Sequence, residues 1–133
     1  MTTYNAYSQY TNSKVLTAAP GELTLMLYDG AIKFCNIALS AIEQKDIEKA
    51  HNNIIKTQKI VDYLRATLDM RYPVAQDFER IYSYLQRRLL EANTSKDAEI
   101  VEEVCNHIRS VRDTWKEVLV AARDPKVPQV MEA

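Results

Sequence analysis

The chain has 133 residues, 47% of them hydrophobic, with 17 Lys and Arg against 18 Asp and Glu, and it contains only two Gly and four Pro. That length bounds it to one domain, and so few turn formers argue against a sandwich or barrel, which needs a turn roughly every 8–12 residues. A net charge of −1 gives no general attraction to phosphate backbones or anionic lipid, which sets nucleic acid and membrane surfaces aside as partners.

In chain order, residues 1–19 come first. They show neither the basic stretch nor the apolar core of a cleaved secretion signal, so a cytoplasmic location is expected. Tyr4, Tyr7 and Tyr10 recur at i+3 and Val15-Leu16 adds an aliphatic pair, which suggests an N-terminal cap segment. With eight Tyr against two Phe and one Trp, the aromatic content leans toward a residue at home where one side is buried and the other wet. Charges interrupt every apolar run before the roughly 20 residues needed to cross a bilayer, so no membrane insertion is expected.

Punctuation at Pro20-Gly21, Asp46, Tyr72-Pro73, Asn93-Thr94-Ser95 and Asp124-Pro125 leaves four helical intervals, about 20–43, 46–70, 74–92 and 96–122. In the second, Ile47, Ala50, Ile54, Val61, Leu64 and Leu68 keep 3/4 spacing with a gap at Thr57, and Asp46 suits the N-cap. The third repeats the pattern through Val74, Phe78, Ile81, Leu85 and Ala92, with Pro73 suited to a first helical position. The fourth alternates without a break through Val101, Val104, Ile108, Val111, Trp115, Val118 and Ala122, with Ser95 or Asp97 as cap. Four helices of about 30–37 Å joined by short turns predict an all-α, antiparallel up-down four-helix bundle over 20–122, with 123–133 as a flexible C-terminal tail.

The first interval departs from its siblings. At about 100° per residue, Glu22, Asp29, Lys33, Asn36, Ser40 and Glu43 collapse into one strip about 80° wide, and nearly everything else is apolar. A bundle helix normally hides an apolar face of somewhat over 100°, so this helix offers more than three partners can cover. Residues 1–19 could cover the excess, as could a foreign amphipathic helix laid into an apolar groove, or the core could simply be crowded. Met26 and Phe34 belong to this excess.

Chemistry finds little support. A carboxylate-bridged metal centre needs Glu-x-x-His on two helices; Glu48 and His51 make one such spacing, while His107 has Val104 and Cys105 where the Glu would stand. Cys35 and Cys105 sit outside any CxxC and within apolar runs, as reduced core residues. With Gly21 and Gly30 the only glycines there is no phosphate loop, and Arg87-Arg88 lacks the basic stripe that nucleic-acid binding demands. No enzyme activity, metal or cofactor is expected.

The run Thr17-Ala18-Ala19-Pro20-Gly21-Glu22-Leu23-Thr24-Leu25-Met26-Leu27-Tyr28-Asp29-Gly30 resembles the signature of the bacterial flagellin export chaperones, the FliS family. The similarity continues at Tyr7 and Tyr10, through Tyr82 to Asn93, and from Arg112 to Lys116; Ser83 departs from it where the family more often has an acidic residue. The resemblance implies a cytosolic four-helix bundle that binds the C-terminal helical segment of flagellin, prevents premature polymerisation and assists delivery to the flagellar type III export apparatus. The export gate and the flagellar anti-sigma factor are the further partners it raises. By the resemblance, Tyr7 and Tyr10 match N-terminal contact positions, and Leu23, Leu27, Tyr28 and Ala31 match positions at or beneath the client surface. With Met26 and Phe34 they form the expected partner-binding set. The alternative is a generic helical interaction or structural protein, with a metal-binding bundle enzyme as a remote third.

Overall fold

The computed structural model describes residues 21–71, 73 and 75–122. Its helices are α1 (Gly21–Glu43), α2 (Ile47–Ala66), α3 (Ala75–Ser95) and α4 (Ala98–Ala122), with no strand among the described residues. Consecutive helices pack side by side and α4 closes back on α1, giving the all-α four-helix bundle. The chain direction alternates: the start of α1 meets the end of α4, where Trp115 Nε1 donates to the Gly21 carbonyl at 3.0 Å, and farther along Arg109 donates to Asn36 Oδ1 at 3.1 Å. The expectations for residues 1–19, Tyr7 and Tyr10 among them, and for 123–133 lie outside the described residues.

The core gathers Tyr28, Cys35, Ile54, Val61, Leu85, Leu89, Val101, Val104, Ile108 and Trp115, so the described apolar stripes of α2, α3 and α4 face inward, except that Ile47, at the start of α2 beyond the reach of its neighbours, is exposed. Thr57, the gap in the α2 stripe, is fully buried as well. Its Oγ1 donates to the Asn53 carbonyl at 2.9 Å, which satisfies the one polar group the position brings inside.

Scarce glycine shows at the helix ends. After α1 the Lys45 N–H donates to the Ile42 carbonyl and the Asp46 N–H to the Ala41 carbonyl, the double bond of a Schellman ending. That ending requires a left-handed residue, and here Lys45 takes it at φ 63°. Asp46 then turns to cap α2, accepting from the Lys49 N–H at 3.1 Å. The α3 end uses the simpler left-handed ending, with Lys96 at φ 54° and its N–H donating to the Ala92 carbonyl at 2.7 Å, and Asp97 caps α4 by accepting from the Glu99 N–H at 2.9 Å.

Three helix boundaries differ from the sequence reading. Asn93-Thr94-Ser95 continues α3 instead of turning, because Thr94 Oγ1 and Ser95 Oγ donate back to the carbonyls of Leu90 and Glu91 and let the hydroxyl residues stay helical. In α2 the helix stops at Ala66, short of 70: Asp69 Oδ1 accepts from the Arg71 N–H at 3.1 Å, a local turn that competes with helical bonding. Pro73 precedes α3 rather than opening it, its carbonyl accepting from the Gln76 N–H.

The bilayer reading also needs correction. α1, 23 residues with a window of mean hydropathy 1.3, is long and apolar enough to cross a membrane by length and composition, because its polar residues are spread thinly along it. In the bundle it is a core helix whose polar strip turns to α4: Asp29 pairs with Arg112 at 2.7 Å, and Asn36 accepts from Arg109 and Cys105.

Candidate protein-interaction face

α1 buries Thr24, Tyr28, Ala31, Ile32, Cys35, Ala38 and Ala41. About 100° around the helix, a second apolar strip stays at the surface: Leu23 is 38% and Met26 67% exposed, with Leu27, Phe34 and Ile37 half-buried alongside. The strip meets α2 at its edge. A Cβ built on Gly30, in the middle of the strip, would stand 3.5 Å from Ile60 Cδ1, and Lys56 Nζ lies 5.2 Å from the centre of the Phe34 ring. Tyr63 of α2, 43% exposed, extends the apolar surface on that side. Exposed apolar patches on a small protein are a common form of interaction surface.

The expected contact residues therefore divide. Leu23 and Met26 are exposed and Leu27 and Phe34 half-buried on one strip, where a partner can touch them. Tyr28 and Ala31, at 2% and 0% exposure, belong to the interior and lie beneath the surface, because their positions on the wheel face α4 and the bundle axis. Tyr63 went unmarked in the sequence; it stands in the outward half of α2, and only its place beside α1 adds it to this surface.

Tyr28 ties α1 to the rest of the bundle from within. Its ring meets Trp115 edge-on at 6.4 Å, Trp115 meets Phe78 at 6.4 Å, and Phe78 lies 6.2 Å from Tyr82. The hydroxyls of Tyr28 and Tyr82 hydrogen-bond to each other inside this cluster, so neither polar tip is orphaned. Burial, and then Tyr82, push the Tyr28 phenol well above its ordinary value; burial pushes Tyr82 up to about 12. Both stay neutral. With Thr24, Leu64 and Leu68 these rings line a small cavity beside the start of α1.

Elsewhere the titratable groups clamp helices together. Glu103 of α4 accepts from Tyr84 and from Arg88 of α3 at 2.7 Å, and the Tyr84 and Arg88 hydrogen bonds hold its carboxyl below the usual range. Arg65 of α2 pairs with Glu79 of α3. His51 contacts Asn93 Oδ1 through Nδ1 at 3.1 Å, and His107 stands 3.7 Å from Glu103 and edge-on to Tyr84, so the two histidines are engaged on different seams. Cys35 and Cys105 are free and buried between α1 and α4, Cys35 donating to the Val101 carbonyl at 3.5 Å and Cys105 to Asn36 at 3.1 Å. The interaction with Cys105, and then burial, push the Cys35 thiol up, so it is held as an inert thiol.

Comparison with known proteins gives the family. The family model described as flagellar protein FliS matches residues 3–122. The chain is 39% identical over 123 residues to the flagellar secretion chaperone FliS of Bacillus subtilis, covering 92% of each chain. It is 34% identical to the protein of the same name from Salmonella typhimurium, over 85% of this chain and 87% of the relative, and 32% identical to that of Escherichia coli, over 87% and 88%. Since the family match spans nearly the whole bundle and the relatives align along most of their length, the chain belongs to the FliS family of flagellar secretion chaperones, which are not enzymes.

Proposed function

We propose that this protein binds the C-terminal helical segment of flagellin in the cytoplasm on the α1–α2 face, holds it from premature polymerisation and assists its delivery to the flagellar type III export apparatus. The observation that carries this reading is the strip itself, with Leu23 and Met26 standing at the surface of a helix that already fills the core with its other side. Terminal segments that assemble into a filament carry apolar stripes before they meet their neighbours, and such stripes aggregate at cellular concentrations. Leu23, Met26, Leu27, Phe34 and Tyr63 offer a substitute neighbour. Folding of the client on binding would cost about 2–5 kcal/mol of the gross interaction energy, which favours an affinity firm enough to protect and loose enough to release. Tyr7 and Tyr10, just upstream of α1, are additional proposed contacts.

Calorimetric titration of the full chain with the C-terminal segment of its cognate flagellin tests the reading. A complex with a large negative heat-capacity change is expected from apolar burial. Absence of any complex at tens of micromolar overturns it.

A further inference from the structure

Three lysines border the apolar strip. Lys33 runs along its outer flank on α1, one position before Phe34, and on α2 the residues Lys56, Lys59, Ile60 and Tyr63 share a sector of about 100°. All three lysines are exposed, and none forms an ion pair among the described residues, where every pair is made by an arginine or by His107. The other seams of the bundle each carry an arginine clamped to a carboxylate: Arg112 to Asp29 between α4 and α1, Arg65 to Glu79 between α2 and α3, and Arg88 to Glu103 between α3 and α4. Between α1 and α2 there is no such pair among the described residues, only Lys56 over the Phe34 ring. Residues 1–20, which lead into α1, hold no carboxylate side chain to pair with these lysines, since they contain no Asp or Glu and one charged side chain, Lys14.

We propose, resting on the client-binding reading above, that the α1–α2 face selects an acidic amphipathic helix of a foreign protein. Its apolar stripe lies on Leu23, Met26, Leu27 and Phe34, and the carboxylates flanking that stripe meet Lys33 on one border and Lys56 and Lys59 on the other. Lysine suits such a rim: its methylene stem lies along apolar surface while the ammonium stays in water. Charges placed there steer encounter and choose among partners of equal apolarity. A cover drawn from residues 1–20 would be indifferent to salt; an acidic partner would not.

The test measures fluorescence anisotropy of two synthetic helical peptides, about 18 residues or five turns long, with one leucine stripe in common and either Glu or Lys flanking it. The full chain should bind the Glu-flanked peptide about tenfold more tightly, as a few exposed pairs together allow. The preference should fade between about 0.1 M and about 1 M salt, where the screening length falls from about 10 Å to about 3 Å. It should also fade in the combined Lys33→Gln, Lys56→Gln, Lys59→Gln variant, and survive Lys116→Gln on α4. Equal binding of both peptides overturns the inference and leaves the client reading standing. So does failure of both peptides while the flagellin segment binds; failure of all three sinks the client reading as well. If removal of residues 1–20 exposes equal binding of both peptides, the face belongs to the chain's own leader. If the free protein sediments as a dimer dispersed by Met26→Asp, it belongs to a second copy. Either result overturns the proposal.

Discussion

Along α1, the side that carries Thr24, Ala31, Cys35, Ala38 and Ala41 is built mainly from small residues, with Tyr28 and Ile32 its large buried side chains and the Tyr28 hydroxyl bonded to Tyr82. The side that carries Leu23, Met26, Leu27 and Phe34 is built from larger and more purely apolar ones, yet it is the side left at the surface. A transfer scale alone would place them the other way round. Small residues win the interior because they let α2 and α4 approach closely, and a close-packed interior has no room for a second set of long side chains. The difference teaches that apolar content says how much surface must be covered, while residue size says which part the bundle itself covers.

The sharpest way to break this comparison is to strike the inner side through its partner. Trp115→Ala empties the ring that packs on Tyr28 and holds the Gly21 carbonyl, and a cost of about 3–5 kcal/mol is expected in urea unfolding. A loss near that of an exposed substitution would mean that the inner side is not the seat of stability.

Alkaline titration probes the same side with a slightly smaller effect. A tyrosine whose folded pKa lies above its unfolded value of about 10 is favoured neutral by folding. The stability it contributes is therefore whole below pH of about 10 and is lost as pH rises through the folded value of about 12. Tyr82 should account for about 3 kcal/mol over that window, with Tyr28 acting in the same direction. In Tyr82→Phe the fall of stability with alkaline pH should be shallower, and an unchanged slope would contradict the burial of the pair.

On the outer side the expected effects on stability shrink or reverse. Gly30→Ala adds a methyl group at an ordinary contact distance of 3.5 Å from Ile60 and removes a flexible residue from mid-helix, so a gain of about 0.5–1 kcal/mol is expected in the same unfolding assay. Met26→Asp should change stability by less than about 0.5 kcal/mol, since the side chain is 67% exposed, while weakening the flagellin segment by about tenfold or more. A stability loss comparable with that of Trp115→Ala would place Met26 in the core and erase the distinction between the two sides.

Much of the architecture could be read from spacing. The unbroken 3/4 alternation from Val101 to Trp115 has only one helical face to occupy, and Asp46 and Asp97 cap the helices they precede. Ends were harder to place where side-chain hydroxyls entered into the backbone's own bonding, as at Thr94 and Ser95, or where a local turn at Asp69 outcompeted the helix. The proposed binding surface was visible as an excess on α1 but not as a place. Tyr28 and Met26 look alike in a run of apolar letters, and Tyr63 shows nothing until α2 is laid beside α1.

By itself, then, the sequence determined that this protein is four helices with one of them too apolar for its own bundle, because periodicity and turn residues act over a few residues and need no neighbours. The tertiary structure alone decided which apolar residues are core and which are surface, and that Lys33, Lys56 and Lys59 border the exposed strip with no ion pair among the described residues. Those outcomes depend on how closely helices far apart in the chain can approach, a matter of side-chain volume across an interface that no single helix contains.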